Sequence, residues 1–153
     1  MDLILWRHAE AAQAEQPTED MARALTVRGE KQAVRMAAWL DRQLPESARV
    51  LVSPARRTEQ TAHALGRKFK LHPALGPGRS VQELLELAQW PTAKGCVLVV
   101  GHQPALGQTV AQLMGLSAQE CAVKKGAVWW LRHRERDGVG QTVVVAVQSP
   151  ELL

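Results

Sequence analysis

Residues 96–104 read Cys96-Val97-Leu98-Val99-Val100-Gly101-His102-Gln103-Pro104. The run Cys96 to Val100 is apolar without alternation and ends abruptly in polar residues. A strand buried on both faces reads this way, because a parallel sheet covered by helices offers no solvent side. Pro104 to Met114 then carries a helical pattern. Two other segments repeat the arrangement. Leu3 to Trp6 is apolar and runs into Arg7-His8; Arg49 to Val52 runs into Ser53-Pro54-Ala55-Arg56-Arg57.

Helical patterns fill the intervals. Ala33, Ala37, Leu40 and Leu44 predict a helix over 27–44, with Thr26 as its cap and Pro45 past its end. A second helix is predicted from Pro54 to Lys70, with Thr58, Thr61, Ala62, Leu65 and Phe69 on one face. Ser53 would be its N-cap and Pro54 its first residue. Residues 71–79, with Pro73, Gly76, Pro77 and Gly78, read as a loop. Ser80-Val81-Gln82-Glu83 has the form of a capping box opening a short helix, which Pro91 ends. Ala127–Arg132 and Thr142–Val147 read as an antiparallel hairpin around Asp137-Gly138. Residues 11–22 are polar and aperiodic, as in a surface loop over strand ends. The β-α-β-α order predicts an α/β fold: a three-layer α/β/α sandwich with a mostly parallel central sheet and a C-terminal antiparallel hairpin, one domain over residues 1–153.

The bulk numbers agree. The 153 residues are 46% hydrophobic and 22% charged, as in soluble globular chains. The start Met1-Asp2-Leu3-Ile4-Leu5-Trp6 has no basic leader, and no apolar run approaches the ~20 residues of a membrane span, so the expectation is a cytoplasmic protein without membrane association. Cys96 and Cys121 are widely spaced and read as reduced thiols. The formal charge of +4 is spread among acids, and with no Tyr and one Phe there is no base-stacking platform. A nucleic-acid partner is therefore not expected, and the cationic balance suits a smaller anionic substrate.

If the three apolar strands are parallel neighbours, their carboxyl ends bring His8, His102 and at least two arginines to one place, where ligands bind open α/β sheets. A guanidinium is permanently charged and matches phosphate oxygens with a planar fork of donors. An imidazole can be neutral and nucleophilic near pH 7. Phosphoryl transfer asks mainly for in-line positioning and charge stabilisation, and a His nucleophile divides it into two steps. Arginines supply the positive charge, so neither metal nor cofactor is expected. Spacing alone does not choose between Arg56 and Arg57.

The motifs resemble those of the histidine phosphatase superfamily, the phosphoglycerate mutase-like fold. Leu5-Trp6-Arg7-His8-Ala9-Glu10 is similar to its Arg-His-Gly signature, and Ser53-Pro54-Ala55-Arg56-Arg57-Thr58-Glu59-Gln60-Thr61 to its second motif. Gly101-His102-Gln103-Pro104 resembles the third, and Leu25-Thr26-Val27-Arg28-Gly29 the opening of the first family helix. The short chain and Lys124-Lys125-Gly126-Ala127-Val128-Trp129-Trp130 resemble the SixA group of phosphohistidine phosphatases. The resemblance implies that His8 is the phosphorylated nucleophile and that Arg7, Arg57 and His102 hold the phosphoryl group. Gln103, Glu10 and Arg23 are further candidates for substrate binding; Glu10 reads equally as a cap or ion-pair partner, and Arg23 also as a surface ion pair.

Two departures stand out. Ala9 replaces the family glycine: its Cβ either crowds the phosphate approach or marks a backbone that does not need positive φ. The insert that carries an acidic proton donor in larger relatives is short here, and neither Glu83 nor Glu86 sits in a motif. A phosphohistidine substrate eases that lack, because the leaving imidazole can be protonated on its other nitrogen. The expected partner is thus a phosphohistidine-bearing protein, with phosphate as product or inhibitor. Two alternatives remain at this level: a phosphatase of small phosphoesters or nucleotides, and a catalytically weak phosphate-binding interaction module.

Overall fold

The computed structural model describes all residues, Met1–Leu153. Strands β1 (Asp2–Arg7), β2 (Arg49–Val52), β3 (Lys70–Leu71), β4 (Cys96–Gly101), β5 (Val128–Arg136) and β6 (Val139–Gln148) form one sheet in the order β3-β2-β4-β1-β5-β6. The first four of that order are mutually parallel; β5 runs antiparallel to β1, and β6 to β5. The three apolar strands of the sequence are thus neighbours, β2-β4-β1, and their carboxyl ends share one edge.

Alternation along the strands divides the core into two layers. Ile4, Trp6, Val50, Val52, Leu98 and Val100 pack against helices α1 (Val27–Gln43) and α2 (Arg56–His63) through Met36, Ala37, Leu40 and Ala62. Leu3, Leu5, Leu51, Val97 and Val99 face the other way, against α3 (Val81–Ala88) and α4 (Ala105–Met114), through Leu84, Ala88, Leu106 and Val110. Every residue of β4 is buried, which explains its unbroken apolar run. This is the expected three-layer sandwich with its antiparallel hairpin. Asp137 and Gly138 turn the hairpin with φ of 52° and 77°, the left-handed values that a two-residue loop requires.

The second helix departs from expectation. It begins at Arg56 with Ala55 as an N-cap that makes no side-chain cap bond, and it ends at His63 rather than near residue 70. Gly66 adopts φ of 71°, which stops the helical path. Phe69 still packs on the α1–α2 core, but from an extended segment leading into β3. The apolar spacing of 58–69 reports burial on one side, which helix and return strand both satisfy. The predicted loop 71–79 contains Leu71 of β3 and a 3-10 turn over Pro73–Leu75, and the polar segment 11–22 contains a 3-10 turn over Pro17–Ala22.

Two of the predicted caps form. Thr26 Oγ1 accepts from Gly29 N, and Ser80 and Glu83 form the reciprocal capping box. Both cysteines are free, and burial pushes the Cys96 thiol up to about 12, so it stays protonated. No helix is long and apolar enough to cross a membrane.

Gly29 marks the tightest approach in this frame. A Cβ there would lie 1.9 Å from the carbonyl oxygen of Glu10. The first turn of α1 therefore packs directly on the main chain that follows His8 and Ala9. Gly29→Ala is expected to lower stability by about 1–3 kcal/mol, as overpacking does, and to shift the Glu10 backbone. Urea unfolding checks the stability; an unchanged midpoint would contradict the packing.

Candidate active site

His8 follows β1, Arg57 is the second residue of α2, and His102 follows β4. All three are nearly fully buried, at 5%, 4% and 4% exposure. The two imidazole rings lie 5.4 Å apart between centroids. Arg57 Nη2 lies 3.3 Å from His102 Nδ1. Arg7, the last residue of β1, donates from Nη1 to the Val123 carbonyl at 2.8 Å. The Nε atoms of Arg7 and Arg57 are buried without a hydrogen-bond partner. Two strand ends and a helix start, from three distant parts of the chain, thus converge on one cationic cleft.

The hydrogen bonds fix the tautomers. His8 Nδ1 lies 2.7 Å from the Ala9 carbonyl oxygen. A carbonyl only accepts, so Nδ1 carries the proton and Nε2 presents a lone pair. At His102 the guanidinium of Arg57 can only donate, so Nδ1 is the acceptor. The proton of the neutral ring then sits on Nε2, 2.7 Å from Ser53 Oγ. Burial holds the His8 pKa down at about 4, helped by the charges of Arg57 and Arg7. Burial and the same arginines hold His102 at about 3, with His8 contributing. Both rings are neutral at pH 7.

Several residues act on these groups from behind. Ser53 is fully buried and orients His102 rather than capping α2, which corrects the sequence expectation for it. Thr61 Oγ1 accepts from the Ala9 amide at 3.1 Å and donates to the Arg57 carbonyl at 2.7 Å, tying α2 to the end of β1. Gln60 Oε1 accepts from Leu25 N at 2.7 Å. Ala9 is buried in a small cluster with Ala11, Leu25 and Ala33 and does not adopt positive φ, so this backbone has no need of glycine.

The other candidates divide. Gln103 is turned to structure: its amide donates to Cys121 O and accepts from Gly107 N. Glu10 accepts from Thr26 Oγ1 and faces Arg28, so it serves the start of α1 and not the cleft. Glu83 is occupied by Arg79 and the Ser80 amide, and Arg79 holds its carboxyl down at about 2. Arg56 is exposed, as expected beside Arg57. Lys124 pairs with Glu151. Arg23 does belong to the neighbourhood: its charge acts on His8, and Nη1 binds Asp20 at 3.1 Å. Asp20 itself, which the sequence did not single out, reaches Arg57. Its only sequence signal is the i, i+3 spacing from Arg23 within an otherwise aperiodic loop.

The buried rings set a pH dependence for stability. Unfolded, both imidazoles take up a proton near pH ~6.5. Folded, they do so only near about 4 and about 3. Between these limits the unfolded chain binds more protons, so stability falls as the pH falls. Urea midpoints measured from pH 7 to pH 4 are expected to decline, and less steeply in His102→Asn. Equal slopes in the variant and the parent would contradict the burial of a neutral ring.

Residues 3–78 match the histidine phosphatase superfamily (branch 1). Over 131 residues the chain is 34% identical to a phosphohistidine phosphatase SixA homolog of Haemophilus influenzae, covering 75% of this chain and 78% of that protein. Over 121 residues it is 36% identical to phosphohistidine phosphatase SixA of Escherichia coli, covering 74% of each. The fold also matches the structure of the protein histidine phosphatase SixA complexed with tungstate, with a TM-score of 0.79, 29% identity and 99% of both chains covered.

Proposed function

The chain belongs to the histidine phosphatase superfamily, in its SixA group and with the phosphoglycerate mutase-like fold, and on that ground we propose that it hydrolyses phosphohistidine in a phosphotransfer protein through a phospho-His8 intermediate. One observation carries the reading: a buried neutral imidazole, its Nδ1 spent on Ala9 O and its Nε2 lone pair available, beside the half-buried Arg7 and the buried Arg57, whose Nε–H donors are unpaired. The free cysteines suit a reducing cytoplasm.

In the first step Nε2 of His8 attacks phosphorus in line, the P–N bond of the substrate breaks, and its imidazole leaves with a proton on the other nitrogen. Arg7, Arg57 and His102 hold the equatorial oxygens, and their charge is stronger in a cleft largely closed to water. In the second step water attacks phosphorus, the phospho-His8 bond breaks and phosphate departs. Glu10 and Glu83 are engaged elsewhere and place no proton donor at the cleft, which favours an imidazole leaving group over an alkoxide.

His102 contributes a proton-linked charge. Burial, together with the cationic field of the free cleft, keeps it neutral. A bound phosphoryl dianion reverses that field and favours proton uptake on Nδ1, which then donates to a phosphoryl oxygen. Calorimetry of inorganic phosphate binding near pH 8, where the ligand is already the dianion, in buffers of different ionisation enthalpy is expected to show net proton uptake that His102→Asn abolishes. Uptake that persists in the variant would move this role to another group.

The activity is tested with a phosphohistidine-bearing protein in the presence of EDTA. The parent chain is expected to release phosphate and to carry acid-labile label on His8, and His8→Ala to do neither. Arg57→Ala is expected to lower kcat by roughly 10²–10³-fold. Label on a different residue, or turnover by His8→Ala, would overturn the assignment.

A further inference from the structure

The 3-10 turn Pro17–Ala22 lays Asp20 against Arg57. The main-chain carbonyl of Asp20 accepts from Nη1 at 2.8 Å, and its Oδ2 accepts from Nη2 at 3.2 Å. The other carboxylate oxygen, Oδ1, accepts from Arg23 Nη1 at 3.1 Å, and Arg23 is anchored through Nε to Ala12 O at 2.7 Å. One carboxylate therefore bridges two arginines, one oxygen to each, much as two oxygens of a phosphoryl group would. The Nη2 it engages is the same nitrogen that reaches His102.

The two partners differ in freedom. Arg57 is fixed, its side chain 5% exposed and its backbone in α2; the Asp20 side chain is 41% exposed on a short turn. Burial tends to push the Asp20 carboxyl up, but Arg23 and Arg57 outweigh it and hold the pKa below the ordinary range. Asp20 is then an anion at neutral pH. A phosphoryl dianion and this carboxylate cannot occupy Arg57 together, because like charges so close repel strongly.

We infer that Asp20 is an internal competitor for the phosphoryl group: it holds Arg57 in the free enzyme, yields when a phosphorylated substrate enters, and returns as phosphate leaves. This rests on the reading of the cleft as a phosphoryl site. Asp20 is a specificity-determining residue under this scheme, not a catalytic one. It lowers affinity for every phosphoryl anion alike, and a phosphorylated protein offsets the loss with contacts outside the cleft. Inorganic phosphate has no such contacts and is expelled.

Asp20→Asn removes the charge and keeps the main-chain bond to Arg57. Phosphate and tungstate affinities by calorimetry, product inhibition, and KM and kcat on a phosphohistidine protein are measured in the parent, in this variant and in Glu19→Gln. Glu19 is exposed on the same turn and makes no bond to Arg57, so its substitution changes net charge equally. Asp20→Asn is expected to tighten phosphate and tungstate about tenfold, to strengthen product inhibition and lower KM with them, and to leave kcat unchanged or reduced by slow release. Glu19→Gln is expected to leave all of these in place. Unchanged or weaker anion affinity in Asp20→Asn overturns the inference, as does equal tightening in Glu19→Gln. A loss of kcat beyond about a hundredfold without tighter phosphate would instead place Asp20 in the chemistry. If the parent binds neither anion, the phosphoryl reading fails and the inference with it.

Discussion

Two guanidinium groups taken out of water at the same sheet edge govern this molecule. Neither can release its proton, so their charge persists in the cleft, and each holds the other's pKa or its neighbours' below ordinary values. Burial first, and these charges with it, keep both histidines neutral. Such an arrangement is unfavourable until an anion arrives, because a buried charge demands a partner. The free protein meets the demand in part with Asp20. The neutral His8 and His102 rings and the seat of Asp20 on Arg57 thus all answer to the same buried positive charge.

Holding that condition requires a stiff frame. The parallel strands β2, β4 and β1 end in register at one edge, and each hands its functional residue directly to a turn or helix. Thr61 ties the start of one motif to the end of another, Ser53 pins one face of His102, and the absent side chain of Gly29 lets α1 press on the main chain beyond His8. None of these touches a reacting atom, yet each removes a freedom that the cleft would otherwise use to separate its like charges.

The strands and the site residues after them were legible because full burial leaves an unmistakable apolar run and because the motifs sit where the runs stop. Arg57 over Arg56 was legible only through the family motif; in the structure the reason is that Arg57 is buried and reaches His102, whereas Arg56 is exposed. The C-terminal extent of α2 was not legible, since Leu65 and Phe69 satisfy a helical spacing while Gly66 redirects the backbone between them. Ser53 read as a cap because its position before Pro54 fits one, and only the fold reveals that His102 lies across from it. Asp20 was invisible for a different reason. A charged residue in a polar turn has no periodicity to betray it, and its meaning depends on a residue 37 positions away.

Strand β1 sits between β4 and β5, whose pairing residues are Cys96–Gly101 and Val128–Arg132. His8, the proposed nucleophile, therefore precedes in the chain both strands that flank β1, by long stretches of intervening sequence. Contacts so distant along the chain form only after long loop closures. A growing chain carries His8 and Arg7 without the neighbouring His102 ring until β4 has been made. Catalytic competence thus arrives with completion of the sheet, and not piecemeal during translation.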